Sequence, residues 1–160
     1  MSRLNPTAER AVASAAEGAA SFSLAHMPGH LVRRVQQVAV RLFAEIVTGD
    51  LTPVQYAALA ALAERPRVGQ AQLASMIGYD RATLGGVVDR LEAKGLVVRN
   101  CDPDDRRSNI LDLTEDGRKI LQAANEEVQV VQDKLLAALD HDERRQFEKI
   151  CIKILSANGG

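Results

Sequence analysis

Arginines, not nucleophiles, carry the chemistry that this 160-residue chain can offer. Asp104-Asp105-Arg106-Arg107 sets two guanidiniums behind two carboxylates, inside a polar stretch from Asn100 to Asn109. A guanidinium is a permanent charge with a rigid fork of donors, suited to phosphate oxygens and to a narrow groove of negative potential. Asp105 stands two residues before Arg107, near enough to hold that guanidinium in one orientation before a polyanion arrives. A solvated Asp-Asp-Arg-Arg turn is the plainer alternative. Catalytic constellations do not appear. His26, His30 and His141 stand in no motif, and no Walker loop, GxGxxG or HExxH occurs. Cys101 and Cys151 are too few for a disulfide framework, and with three histidines they show no metal-ligand spacing. The chain reads as a non-enzyme with no cofactor and no metal.

Those residues must be positioned by a mainly helical scaffold. Apolar residues make up 46% and aromatics 3%, with no Trp, so one core of Leu, Val, Ile and Ala is expected. Twenty Lys and Arg against 21 Asp and Glu give a net charge of −1, which excludes a uniformly basic or membrane-surface protein. The balance is uneven: residues 65–107 hold eight basic residues against six acidic ones, +2, and the remainder holds −3. No apolar stretch approaches the roughly 20 residues that span a bilayer. Glu9, Arg10 and Glu17 interrupt the N-terminal Ala run, so no secretory signal is read and the cytoplasm is the expected compartment.

Residues 1–29 read as an N-terminal arm of Ala, Ser and Gly, partly ordered, closed by Pro28 and Gly29. Leu31, Val35, Ala39, Leu42 and Ile46 recur at helical spacing over 30–48. Thr52-Pro53 starts a second helix that runs to about Ala63. A short helix spans Gln70 to Ile77 and stops at Gly78; Asp80 then caps a fourth helix from Arg81 to Lys94, stopped by Gly95. Leu96 to Arg99 and Ile110 to Leu113 read as two strands of a hairpin. Thr114 opens a long helix with an apolar stripe to Leu139. Asp140-His141-Asp142 interrupts, and a last helix carries Phe147, Ile150, Cys151, Ile154 and Leu155. The fold class is therefore mainly α with a small β-hairpin wing. A winged helix-turn-helix lobe at 53–113 is flanked by a helical dimerisation region at 30–52 and 114–160.

The residues of that lobe resemble the MarR family of bacterial transcriptional regulators. Asp80-Arg81-Ala82-Thr83-Leu84 and the run from Val88 to Val97 are similar to the family's recognition helix and its exit. Asp105-Arg106-Arg107, followed by Leu113-Thr114-Glu115-Asp116-Gly117, is similar to its wing signature. The resemblance covers about residues 30–157. It implies a homodimer with one winged lobe per subunit, usually a repressor released by a small ligand or an oxidant; the two-fold symmetry of such a dimer points to an inverted-repeat DNA operator. It also implies a ligand cleft where the first two helices meet the long one. His30, Arg33, Arg34 and Gln37 are the candidates there, beside apolar Val35, Val38 and Phe43. A guanidinium pair in such a setting suits an anionic effector, an aromatic carboxylate or an acyl-CoA thioester. A solvated or interface face is the alternative for Arg33 and Arg34.

The helix at 81–94 gives the same answer from its own residues. Leu84, Val87, Val88 and Leu91 claim one face. Ala82, Gly86 and Asp89 lie opposite, flanked by Thr83, Gly85 and Arg90, with Arg81 at the start. Small residues there let the backbone approach the floor of a major groove. Tight packing of another helix on Gly85 and Gly86 is the competing reading. Expected DNA contacts are thus Arg81, Ala82, Thr83, Gly85, Gly86, Asp89 and Arg90 from the helix, with Asp105, Arg106 and Arg107 from the wing. The helices at 30–48, 114–139 and 141–157 carry more apolar surface than one lobe covers, which points to a dimer. Cysteine-based redox sensing is the alternative mode of control. Cys101 lies near Arg99, which would favour thiolate, whereas Cys151 sits on an apolar stripe.

Overall fold

The computed structural model describes residues 23–103 and 108–159. After a 3-10 turn at Leu24–His26 come α1 (Pro28–Ile46), α2 (Pro53–Glu64), β1 (Val68–Gly69), α3 (Gln70–Met76) and α4 (Arg81–Ala93). Then follow β2 (Val97–Cys101), β3 (Asn109–Leu113), α5 (Glu115–Leu135) and α6 (His141–Ala157). The chain divides at Gln37/Val38 into two units. The first holds the opening turns of α1, and the second holds the rest of the described chain.

Local chemistry explains most boundaries. Thr52 and Gln55 form a reciprocal capping box at α2, with Pro53 at the first helical position. Asp80 caps α4 through Thr83 N–H, and Thr114 caps α5 through Gly117 N–H. Gly78 and Gly95 take φ of +69° and +70°, as the stops of α3 and α4 require.

Two expectations are corrected. Pro28 and Gly29 begin α1 instead of closing an arm, because proline's fixed φ and missing N–H suit the first turn. The long helix stops at Leu135, so Leu139 lies in a turn and not on the stripe. The last helix runs over His141–Ala157, as its expected bounds of 141–157 require, with Asp140 capping it in a capping box with Glu143. One strand was not expected. β1 pairs with β3 through Val68↔Leu111 and Gly69↔Ile110, making a three-stranded antiparallel sheet of order β1-β3-β2.

The core lies between α2, α3, α4, the sheet and the first half of α5. Leu59, Leu62, Leu73, Leu84, Val87, Val88, Leu91 and Leu111 are almost fully buried, at roughly 1.5–3 kcal/mol each. Gly117 seats α5 on this core. A Cβ there would stand 2.1 Å from the Leu96 carbonyl oxygen, so only glycine admits the approach. Thr114 completes the corner: its N–H donates to Leu96 O at 3.1 Å and its hydroxyl to Gly95 O at 2.7 Å.

Candidate nucleic-acid interface

α4 sorts its residues as its periodicity requires. Leu84, Val87, Val88 and Leu91 face the core, while Arg81, Ala82, Thr83, Asp89 and Arg90 are exposed and Gly85 and Gly86 half-buried. The start of the helix is set by Asp80. Its Oδ1 accepts from Thr83 N–H at 2.8 Å and its Oδ2 from the Thr83 hydroxyl at 2.5 Å. Those bonds, the hydroxyl's foremost, hold the Asp80 carboxyl below the usual carboxylate range. Thr83 has thus committed its one hydroxyl proton and presents only lone pairs outward.

α3 is pinned to α4 by a residue that sequence reasoning missed. Gln70 Nε2 donates to the Arg81 carbonyl at 3.2 Å. Gly85 makes room for that amide: a Cβ there would lie 3.2 Å from Gln70 Nε2. At Gly86 a Cβ would meet only Arg90 Nη1, at 3.7 Å. Neither glycine therefore seats another helix's backbone. Gly85 accommodates a polar side chain, and Gly86 keeps the exposed face low.

Arg99, also missed, ties the wing to α4. Its Nη2 donates to Asp89 Oδ1 at 2.5 Å and its Nη1 to Glu92 Oε2. Asp89 thereby serves as a partner for β2, and its charge is offset. No local signal could have found this pair, because it spans ten residues across two elements. Arg81 and Arg90 make no ion pair among the described residues. A cleft of about 330 Å³ opens beside Arg81, lined also by Gln70, Ala71, Arg99, Asn109 and Leu111.

The hairpin runs in register from Val97↔Leu113 to Cys101↔Asn109. Asp105, Arg106 and Arg107, expected at its tip, lie outside the described residues. The ligand candidates all fall on the part of α1 within the first unit. Arg33, Arg34 and Gln37 are exposed, His30 is half-buried, and Arg33 Nη2 donates to His30 Nδ1 at 3.3 Å. Phe43 belongs to the second unit, buried with its ring 6.1 Å from Tyr56. Cys101 is exposed at the end of β2, Cys151 is half-buried on α6, and Arg99 is committed to its two carboxylates.

A helix-turn-helix backed by a three-stranded antiparallel sheet, with a hairpin after its second helix, defines a winged helix-turn-helix protein. The model of the MarR family matches residues 51–108. The HTH-type transcriptional repressor NicR of Pseudomonas putida is 32% identical over 124 residues, which are 77% of this chain and 78% of that protein. Among solved structures, the PcaV transcriptional regulator of Streptomyces coelicolor, in complex with its natural ligand, is 34% identical with a TM-score of 0.81. The match covers 87% of this chain and 99% of PcaV. BpsR of Bordetella bronchiseptica, whose DNA binding is regulated by 6-hydroxynicotinic acid, is 29% identical with a TM-score of 0.74. That match covers 79% of this chain and 96% of BpsR. The chain belongs to the MarR family and is a DNA-binding transcriptional regulator.

Proposed function

We propose that this chain is a cytoplasmic, homodimeric repressor of an inverted-repeat operator, released by a small anionic ligand, and not an enzyme. The exposed face of α4 carries the DNA part. Small residues, a lone-pair-presenting Thr83 and the guanidiniums of Arg81 and Arg90, which make no ion pair among the described residues, share one surface beside the wing. Arg106 and Arg107 are assigned to the wing's contact with phosphates and minor groove, with Asp105 orienting Arg107. The dimer is supported by α6, which has no buried residue and exposes Ile150, Ile152, Ile154 and Leu155. A groove of about 530 Å³ along one side of α6 is lined by Leu136, Phe147, Cys151, Ile152 and Leu155. Several large apolar side chains left open along one helix favour an association surface over a solvated one.

The effector is assigned to the opening of α1, with His30, Arg33, Arg34 and Gln37 as its polar contacts. An aromatic carboxylate fits the guanidiniums, and an acyl-CoA thioester is the larger candidate. The 6-hydroxynicotinic acid response of BpsR favours the first. The test is a titration of a duplex selected from a random library by the wild-type chain, with light scattering alongside. A dimer that binds the selected duplex is expected. Thr83→Ala or Arg90→Ala should narrow the gap between selected and random duplexes by roughly 1–3 kcal/mol. A stable monomer at micromolar concentration, or equal loss on both duplexes, would overturn the corresponding part. A thermal-shift screen of aromatic acids and thioesters then supplies the releasing ligand. Arg33→Ala/Arg34→Ala should abolish its release of DNA and leave operator affinity intact.

A further inference from the structure

The turn between α1 and α2 is gripped from both sides. Thr48 donates from its backbone N–H to Glu127 Oε2 at 2.8 Å and from its hydroxyl to Glu127 Oε1 at 2.6 Å. Both oxygens of one α5 carboxylate are thus engaged by one residue. Two residues on, Asp50 accepts from Lys94 Nζ through Oδ2 at 2.8 Å, and its main-chain carbonyl accepts from the same ammonium. Lys94 is the C-cap of α4. Between the grips the backbone is left-handed, with φ of +82° at Gly49 and +54° at Asp50. That conformation is disfavoured for a non-glycine residue and persists where contacts over-determine it. Global stability is not what this pair supplies. The Asp50 side chain is 95% exposed, and an ion pair so open to water adds little. What the contacts fix is position.

We propose that Thr48-Gly49-Asp50 is a positioning link that indexes the recognition helix α4 to the long helix α5. Glu127 holds its start, and Lys94, the C-cap of α4, ties its end to that helix. Both are positioning residues and neither touches DNA. The proposal rests on the reading of α4 as the DNA-reading helix. Because Glu127 and Lys94 share no partner atom, independent effects would multiply, whereas effects through one link would not.

The experiment uses the full chain and the duplex selected by wild type, with Lys94→Met, Glu127→Gln and the double variant. Folding of each is checked by circular dichroism. Each single variant should weaken selected-duplex binding three- to tenfold and random-duplex binding less than twofold. The double variant should be no weaker than the worse single one. A double effect equal to the product of the singles would overturn the link. So would a salt slope reduced by about 0.9 in Lys94→Met, which marks a lost phosphate contact. Hydrogen exchange on the free protein reads the link without DNA. Glu127→Gln should speed exchange of the amides at 91–95 and leave those at 58–62 in α2 unchanged; unaltered exchange at 91–95 would overturn the proposal. If the wild-type chain selects no duplex, the DNA reading fails, and the exchange result still decides the link.

Discussion

Adjacent glycines in α4 should respond in opposite ways to one added methyl. Each costs a helix interior about 1 kcal/mol against alanine. At Gly86 the new Cβ meets only the tip of Arg90, at 3.7 Å, an ordinary contact. Gly86→Ala should therefore stabilise the fold by about 1 kcal/mol, a rise of roughly 2–4 °C in Tm for a chain of this size. At Gly85 the Cβ would press on Gln70 Nε2 at 3.2 Å, the atom that donates to Arg81 O. Losing that hydrogen bond costs roughly 0.5–1.5 kcal/mol. The helix gain is then cancelled, and Tm should stay level or fall. DNA binding inverts the order of merit. A methyl forced between α4 and a groove floor is an overpacking of about 1–3 kcal/mol. Operator affinity of Gly86→Ala should drop by about 5- to 150-fold, while random DNA, held through phosphates, changes less. Calorimetry and fluorescence anisotropy on both duplexes read the two effects separately. A Gly86→Ala protein with raised Tm and unaltered operator affinity would refute close approach of this face to DNA. A Gly85→Ala protein stabilised as much as Gly86→Ala would refute the role given to Gln70.

Other sites give sharp expectations too. Gly117→Ala places a Cβ 2.1 Å from the Leu96 carbonyl oxygen, a backbone atom that cannot swing away. Its urea midpoint should fall by an amount equivalent to about 3 kcal/mol at unchanged slope. Asp80 titrates below its ordinary 3.8 in the folded chain, chiefly through the Thr83 hydroxyl, so its stabilising share is full above that value and lost as pH falls through the depressed one. Asp80→Asn keeps a capping oxygen without titrating. Its stability at neutral pH should stay near wild type, and its decline below about pH 4 should be shallower in acid melts. At the wing, Arg107→Ala should weaken operator binding and reduce the salt slope by about 0.9. Asp105→Ala removes a negative charge, so simple electrostatics expects tighter binding; weaker binding would establish that Asp105 orients Arg107.

How legible the site was depends on how local its causes are. Asp80, Thr114, Gly78 and Gly95 act on neighbours within a turn, and their caps and stops could be read from residue type and spacing. The apolar face of α4 follows from period alone. What stayed hidden spans elements. Arg99 meets Asp89 and Glu92 across a strand and a helix. Lys94 meets Asp50 across 44 residues, and Thr48 meets Glu127 across 79. β1 has only Val68 and Gly69, too short for any alternation, and exists because β3 offers an edge. The two glycines were recognised as significant without their distinct reasons. Gly85 answers to a side chain 15 positions away, which no helical wheel displays.

The second unit also divides its stabilisation unevenly, and that bears on control. The lobe is well filled: α2, α3, α4, the sheet and the first half of α5 enclose the core. α6, by contrast, buries no residue, and Arg144 anchors its start through Leu139 O at 3.2 Å and Asp133 at 3.6 Å. Most helical stability in proteins comes from packing of an apolar face, and α6 buries none of its own, so that surface calls for cover. With a second copy as that cover, two α4 helices are carried on one assembly, and a two-fold operator demands them about 34 Å apart. On the proposed dimer, spacing is the quantity that a releasing ligand would have to change. Lys94 and Glu127 acquire their importance here. A recognition helix free to pivot in its own lobe would absorb a shift of the outer helices, whereas one indexed to α5 must pass it on to the DNA.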